Sequence, residues 1–239
     1  MTTKVRKRSS VEHGTTLQSA FLQVRDLIVH GRLSPGAWII EADLTEKLGM
    51  SRTPVRGALQ RLQREGYVIE QRGRAKSRMI VAPLTQTDAT ELYTIVGHLE
   101  GLSGRQAAAL PKEQRALVVA RARALNAKLH SIAQSQKLGG ESIFNLDTEF
   151  HRTIVDAGAG ARLMSMHSGI KPQIERYWRL YARNILEDLE LSVEEHEVII
   201  NAIQTGDSHA AERALIANWV NGAERVGRVI QMHGERGSW

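Results

Sequence analysis

The chain has no cysteine. Disulfide bonds, cysteine-bound zinc and thiol nucleophiles are excluded at once. A disulfide-free chain fits a reducing cytoplasm, where this protein is expected to work. No apolar run reaches the roughly 18 residues that a spanning helix needs, so no membrane partner is expected. The opening MTTKVRKRSS is basic but has no apolar segment behind it, and does not read as a secretory signal. Aromatic residues make up only 5% of the 239 residues, against 42% for all apolar types. Leu, Ala, Ile and Val must therefore fill the core, which favours helices.

Acid is also scarce in one region. Residues 1–82 hold 15 Lys/Arg and 7 Asp/Glu, whereas residues 83–239 hold 17 and 19. The whole excess of positive charge, formally +6, thus sits in the first third. Such asymmetry points to a segment that meets a polyanion and a remainder that does something else. A solubilising basic end is the plainer alternative.

What is present is helical spacing. Residues 1–15 read as a flexible basic arm. From Thr16, the residues Leu17, Ala20, Phe21, Val24, Leu27 and Ile28 recur at helical intervals up to His30-Gly31. SPG at 34–36 is a turn, WIIE at 38–41 a candidate short strand, and EADLTEKLG at 41–49 a short helix. In SRTPVRGALQRLQREG, Thr53 is expected to cap a helix with Pro54 at its first position, where a missing N–H costs nothing. Val55, Ala58, Leu59 and Leu62 form its apolar stripe, leaving Thr53, Arg56, Gly57 and Gln60 on the other side. YVIEQ and SRMIVA flank the basic tip RGRAK in the pattern of a strand, a turn and a strand. That order is a winged helix-turn-helix, spanning 16–82, whose second helix can enter a major groove.

APLT at 82–85 reads as a linker, and everything beyond it as helix. Thr85-x-x-Asp88 opens one helix, and Pro111 starts another. GGES at 139–142 is a break. Further helices are expected over about 143–157 and 160–184. Ser192-x-x-Glu195 is expected to cap the next, and Asp207 the last. The fold class is therefore mainly α: an N-terminal winged helix-turn-helix and an all-helical domain over 83–239.

The stretch GRLSPG…EADLTEKLGMSRTPVRGALQRLQREGYV resembles the DNA-binding domain of GntR-family bacterial transcription regulators. The helical remainder resembles the FCD effector domain of the FadR branch, through LYTIVGHLEGLSGRQAAAL, FNLDTEFHRTIV and EEHEVIINAIQTGD. The resemblance implies a cytoplasmic homodimer that reads a near-palindromic double-stranded DNA operator. It implies a small-molecule effector that changes affinity, with repression of a catabolic operon the commonest role. On the DNA side it points to Ser51, Arg52, Thr53 and Arg56, with Arg72 and Gly73 at the tip of the wing. A guanidinium there can read guanine or clamp a phosphate. Arg61 and Arg64 are expected to be ordinary surface charges. Gly57 stands where the family has an acidic residue, either to let the helix approach DNA or as simple drift.

In the helical domain the resemblance carries a divalent-metal site onto Asp147, His151 and His196. Asp147 and His151 lie four apart, on one face of a helix. The family's third histidine falls on Asn218, whose amide oxygen suits hard cations better than zinc. Zinc, nickel and manganese are the candidate ions. Val96 stands where many relatives have an arginine for a carboxylate effector. Arg176 or Arg183, with Tyr177, is expected to contact the effector instead, an organic acid being one candidate class. His98, His130, His167 and His209 are read as packing or surface residues. A metal-dependent hydrolase built on the same Asp/His set is the alternative function, and a structural nucleoid protein a third.

Overall fold

A computed structural model describes the backbone of residues 10–72, 77–135, 140–185 and 188–237. Side chains are described for 16–71, 77–134, 142–179 and 188–237. The fold is mainly α, and the chain divides into two compact units. One takes residues up to Leu84 together with those from Arg236 onward, and the other takes Thr85–Glu235. Pro83, Leu84 and the residues from Arg236 thus group with the first unit rather than with Thr85–Glu235. None of the described helices is long and apolar enough to cross a membrane.

The first unit contains α1 (Ser10–Val29), α2 (Glu41–Leu48), α3 (Arg52–Arg64), β1 (Val68–Arg72) and β2 (Ser77–Val81). Helix α1 begins six residues before Thr16, since Gly14 costs only about 1 kcal/mol inside a helix and no proline intervenes. Its residues Ala20, Phe21, Val24, Leu27 and Ile28 are buried with Leu44, Val55, Ala58, Leu59, Leu62 and Tyr67 in one core. Each such aliphatic or aromatic side chain contributes about 1.5–3 kcal/mol by leaving water. Strands β1 and β2 pair antiparallel, from Val68 opposite Val81 to Arg72 opposite Ser77. The short strand expected at 38–41 reduces to a single bridge between Trp38 and Ile80. Leu84 and Arg236 form a second bridge, donating to each other's carbonyls at 2.8 and 3.1 Å.

The second unit contains α4 (Gln86–Ala108), α5 (Lys112–Ser135), α6 (Gly140–Gly158), α7 (Ala161–Ile185), α8 (Leu189–Thr205) and α9 (Ser208–His233). Thr85 caps α4 by accepting from the Asp88 amide, and Asp207 caps α9 by accepting from the Ala210 amide, both as expected. The break expected at 139–142 is shorter, because α6 already starts at Gly140. The Ser192 cap is overturned. Helix α8 starts a turn earlier, at Leu189, and Ser192 lies inside it. The extra turn buries Leu189 and Val193 against Leu129 and Ile143, and that tertiary gain outweighs the local capping signal. Glu195, freed from capping, reaches Arg225 of α9 instead. Gly158, the last residue of α6, lies so close to α4 that an added Cβ would fall 1.9 Å from the Ser103 carbonyl oxygen.

Candidate DNA-reading face and candidate metal centre

Helix α3 begins at Arg52, with Ser51 rather than Thr53 as its cap residue. Pro54 is thus the third helical residue. Its missing N–H still costs nothing, because the first turn has no intrahelical acceptors. The Ser51 side chain makes no capping bond, and one of its two usual donors, the N–H of the third helical residue, is missing at Pro54. Ser51, Arg52, Thr53 and Arg56 are all exposed on the opening turns of α3. Pro54, Val55, Ala58, Leu59 and Leu62 are buried on its other flank.

Arg56 is not bare. Its Nε and Nη2 donate to the two carboxylate oxygens of Glu41 at 3.1 and 3.2 Å. Arg61, expected to be an ordinary surface charge, is half-buried and engaged within its own unit. It donates to Glu65 and to Gln18, and its guanidinium lies 3.8 Å from the centre of the Phe21 ring. Gly57 corrects one expectation. A Cβ there would meet Leu17 of α1 at 2.7 Å, so this position faces the unit's own first helix and not DNA. The wing residue Gly73 lies outside the described residues. Arg72 ends β1, and its side chain also lies outside them.

In the second unit, Asp147 and His151 project from α6 and His196 from α8. One ligand atom from each lies within 4.8 Å of the others. Asp147 Oδ1 is 3.6 Å from His196 Nε2 and 4.0 Å from His151 Nε2. A tetrahedral ion with bonds of about 2.0–2.1 Å would bring such atoms to roughly 3.4 Å, so the set stands slightly wider than a loaded one.

The neighbours decide which nitrogens face inward. His151 Nδ1 lies 2.6 Å from Glu100 of α4, and a buried carboxylate there can only accept. His196 Nδ1 lies 3.1 Å from Asn126 Oδ1 of α5. That amide cannot turn over, since its nitrogen already donates to the Val193 carbonyl and to Glu197. Both histidines therefore hold a proton on Nδ1 and turn Nε2 toward Asp147. His196 Nε2 is buried with no hydrogen-bond partner. An orphaned acceptor in a buried ring is costly unless something binds it. Phe150 stacks on that ring with 3.7 Å between centroids and fixes its plane. Burial, then the neighbouring His151 and Arg225, hold the His196 imidazole well below the ordinary histidine range. The residues thus fit a divalent cation: two imidazoles, each held through Nδ1 by an outer partner, and one carboxylate.

Asn218 lines the same cavity as Asp147 and His151. Its amide nitrogen donates to Glu195 Oε2 at 2.7 Å. Glu195 also accepts from Asn221 and, through both oxygens, from Arg225 at 2.8 and 3.0 Å. Burial alone would raise the Glu195 carboxyl, but these donors hold it below its usual range.

A cavity of about 140 Å³ opens beside the ligands. Its walls include Asp147, His151, Asn218, Trp219, Lys171 and Arg225. Helix α7 contributes Lys171, Ile174, Glu175 and Trp178, the face set by helical spacing. Arg176 and Tyr177 are buried on other faces of α7 and do not line this cavity. The Tyr177 hydroxyl instead donates to Asp88 at 2.5 Å and lies 3.1 Å from the Thr85 carbonyl, pinning the start of α4. The Arg183 side chain lies outside the described residues. His167, read from sequence as a packing or surface residue, is buried and lies 2.9 Å from Glu100 Oε1. Lys171, Glu100 and Asn126 were not marked by the sequence. Only Lys171 left a signal, the apolar and charged face shared by positions 171, 174, 175 and 178.

A winged helix-turn-helix with arginines exposed on its second helix, in one chain with a helical unit that closes on a polar cavity, defines a DNA-binding transcription regulator with a sensor domain. The chain belongs to the GntR family of bacterial regulatory proteins and carries that family's FCD domain. The gntR pattern matches residues 16–76 and the FCD domain matches 91–219. The probable D-xylose utilization operon transcriptional repressor of Paenarthrobacter nicotinovorans is 30% identical, over 81% of this chain and 82% of its own length. The gluconate operon transcriptional repressor of Bacillus licheniformis is 27% identical, over 82% and 79%. The solved structure of E. coli McbR/YncC shares the fold, with a TM-score of 0.65 at 21% identity, over 92% of this chain and 99% of that one. The protein is thus a ligand-responsive DNA-binding regulator and not an enzyme, and the hydrolase reading is set aside.

Proposed function

We propose that this protein is a homodimeric repressor of a catabolic operon, held on a near-palindromic operator in the cytoplasm and released by a small organic acid. The repressor sign and the catabolic setting are supported by relatives named for xylose and gluconate operons. Ser51, Arg52, Thr53 and Arg56 read or clamp the major groove from α3, and Arg72 and Gly73 approach a minor groove from the wing. Their exposure at the start of α3, above an apolar flank that is wholly engaged, is the observation that carries the DNA side.

On the sensor side, Asp147 Oδ1, His151 Nε2 and His196 Nε2 would hold a divalent cation (zinc, nickel or manganese), with the amide oxygen of Asn218 the further candidate donor. Such an ion, when bound, supplies open positions for a carboxylate. The orphaned His196 Nε2 is the observation that carries this part. Lys171 and Arg225 are the cations on the cavity wall and favour an anionic effector. Arg176 and Tyr177 act on the effector only indirectly in this reading, through the packing of α7.

The test is a band-shift titration on the DNA upstream of the protein's own gene. Each bidentate base contact is worth about 1–3 kcal/mol, so alanine at Arg52 or Arg56 should weaken capture by about 5- to 150-fold. Unchanged affinity in a folded double variant would sink the DNA assignment. Elemental analysis of protein purified without tag or chelator tests the metal, and a null content with no uptake on titration would remove it.

A further inference from the structure

Glu100 is fully buried, and its contact with His151 is one of four it makes. Donors from three other helices converge on its two oxygens. His151 and Trp219 reach Oε2 at 2.6 and 2.8 Å. His167 and Lys171 reach Oε1 at 2.9 and 3.5 Å. Three of these contacts are hydrogen bonds, and that of Lys171 is a longer ion pair. Lys171 also lies 4.1 Å over the Trp219 ring, and both line the cavity.

These partners differ in what they can do. Trp219 and Lys171 can only donate. The two histidines can donate or accept, according to which nitrogen holds the proton. A carboxylate removes that choice, because it offers no proton to accept. A neutral His151 must then place its one proton on Nδ1, which leaves Nε2 as a lone pair on the side of Asp147.

We propose that Glu100 is a positioning residue: it locks His151 in the one tautomer that can ligate, and anchors the cavity's Lys171 and Trp219 to the same carboxylate. The ligand role of His151 rests on the metal reading above, whereas the locked tautomer does not. Glu100 touches neither the ion's place nor the effector, and acts through His151.

The experiment uses full-length, metal-free protein with nitrogen-15-labelled histidine at about pH 8, above the ordinary imidazole range near 6.5. In the unaltered chain the His151 proton should appear on Nδ1. Glu100→Met removes every acceptor and should move that proton to Nε2, where the ring meets Asp147 as its remaining acceptor. Zinc affinity, read by chelator competition, should fall about 10- to 100-fold with it. Glu100→Gln keeps one acceptor oxygen. Its nitrogen end meets a pure donor whichever way it turns, but facing the mobile Lys171 is easier than facing Trp219. The oxygen should therefore stay with His151, and Gln should recover most of what Met loses.

A carboxylate that merely filled space would leave the tautomer unmoved in both variants, and that result overturns the proposal. So does an Nε2 proton in the unaltered chain, a measurement that needs no variant should Glu100→Met fail to fold. If the unaltered chain binds no zinc while its proton sits on Nδ1 and moves in Glu100→Met, the metal reading falls and the positioning role stands.

Discussion

Arg56 has a partner before any DNA arrives. Its two bonds to Glu41 are geometrically good, but both side chains touch solvent, and exposed ion pairs contribute only about 0–1 kcal/mol. Glu41 nonetheless competes with a phosphate or a base for the same guanidinium. Glu41→Gln should therefore tighten operator binding by up to about fivefold, as read by fluorescence anisotropy at fixed salt. Weaker binding would mean that Glu41 aims Arg56 rather than withholding it. At this scale the sequence was partly legible. Asp147 and His151 announced themselves by a four-residue spacing. Glu100 did not, because its partners His151 and His167 are 51 and 67 residues away. Asn126 faces the same difficulty, lying 70 residues from His196. Distance in the chain hides such contacts from any reading of local pattern.

At the scale of elements, local signals held where nothing tertiary opposed them. Thr85 and Asp207 cap as their motifs propose, and α2 ends at Gly49 in the left-handed conformation. They failed where packing had more to offer. Helix α8 ignores the Ser192 motif because its earlier turn buries Leu189, and α3 starts at Arg52 because Pro54 is tolerated anywhere in a first turn. The junction of α6 with α4 gives the sharpest test. Gly158 presses on the backbone oxygen of Ser103, and a backbone atom cannot swing aside as a side-chain tip can. Gly158→Ala must separate the two helices. Overpacking of this kind costs about 1–3 kcal/mol or more, and thermal melting of the variant should show a drop of several degrees. Gly57→Ala meets only the end of Leu17, and should be nearly neutral by the same measurement.

Over the whole molecule, the charge asymmetry read from composition matches the division of labour: the basic third folds as the DNA-binding unit and the near-neutral remainder as the sensor. The sensor's stability also carries a mark of its own. Burial is the main cause that raises the phenols of Tyr93 and Tyr177 far above the ordinary tyrosine range, with Asp88 adding to it at Tyr177. The folded state keeps these protons, whereas the unfolded chain releases them near pH 10. Stability is therefore fully present below about pH 10 and is lost as pH rises above it, by at most about 1.4 kcal/mol per pH unit for each group. Ultraviolet titration should show these two phenols ionising only together with loss of helical circular dichroism. Ionisation ahead of unfolding would contradict the burial seen here.

The bridge between Leu84 and Arg236 has a practical consequence. Anything fused behind α9 is attached to the DNA-reading unit, although in sequence it follows the last helix of the sensor. A fragment ending at residue 84 would lack the edge that Arg236 supplies. An engineer who wants the operator-binding half alone should therefore graft the closing peptide back onto it.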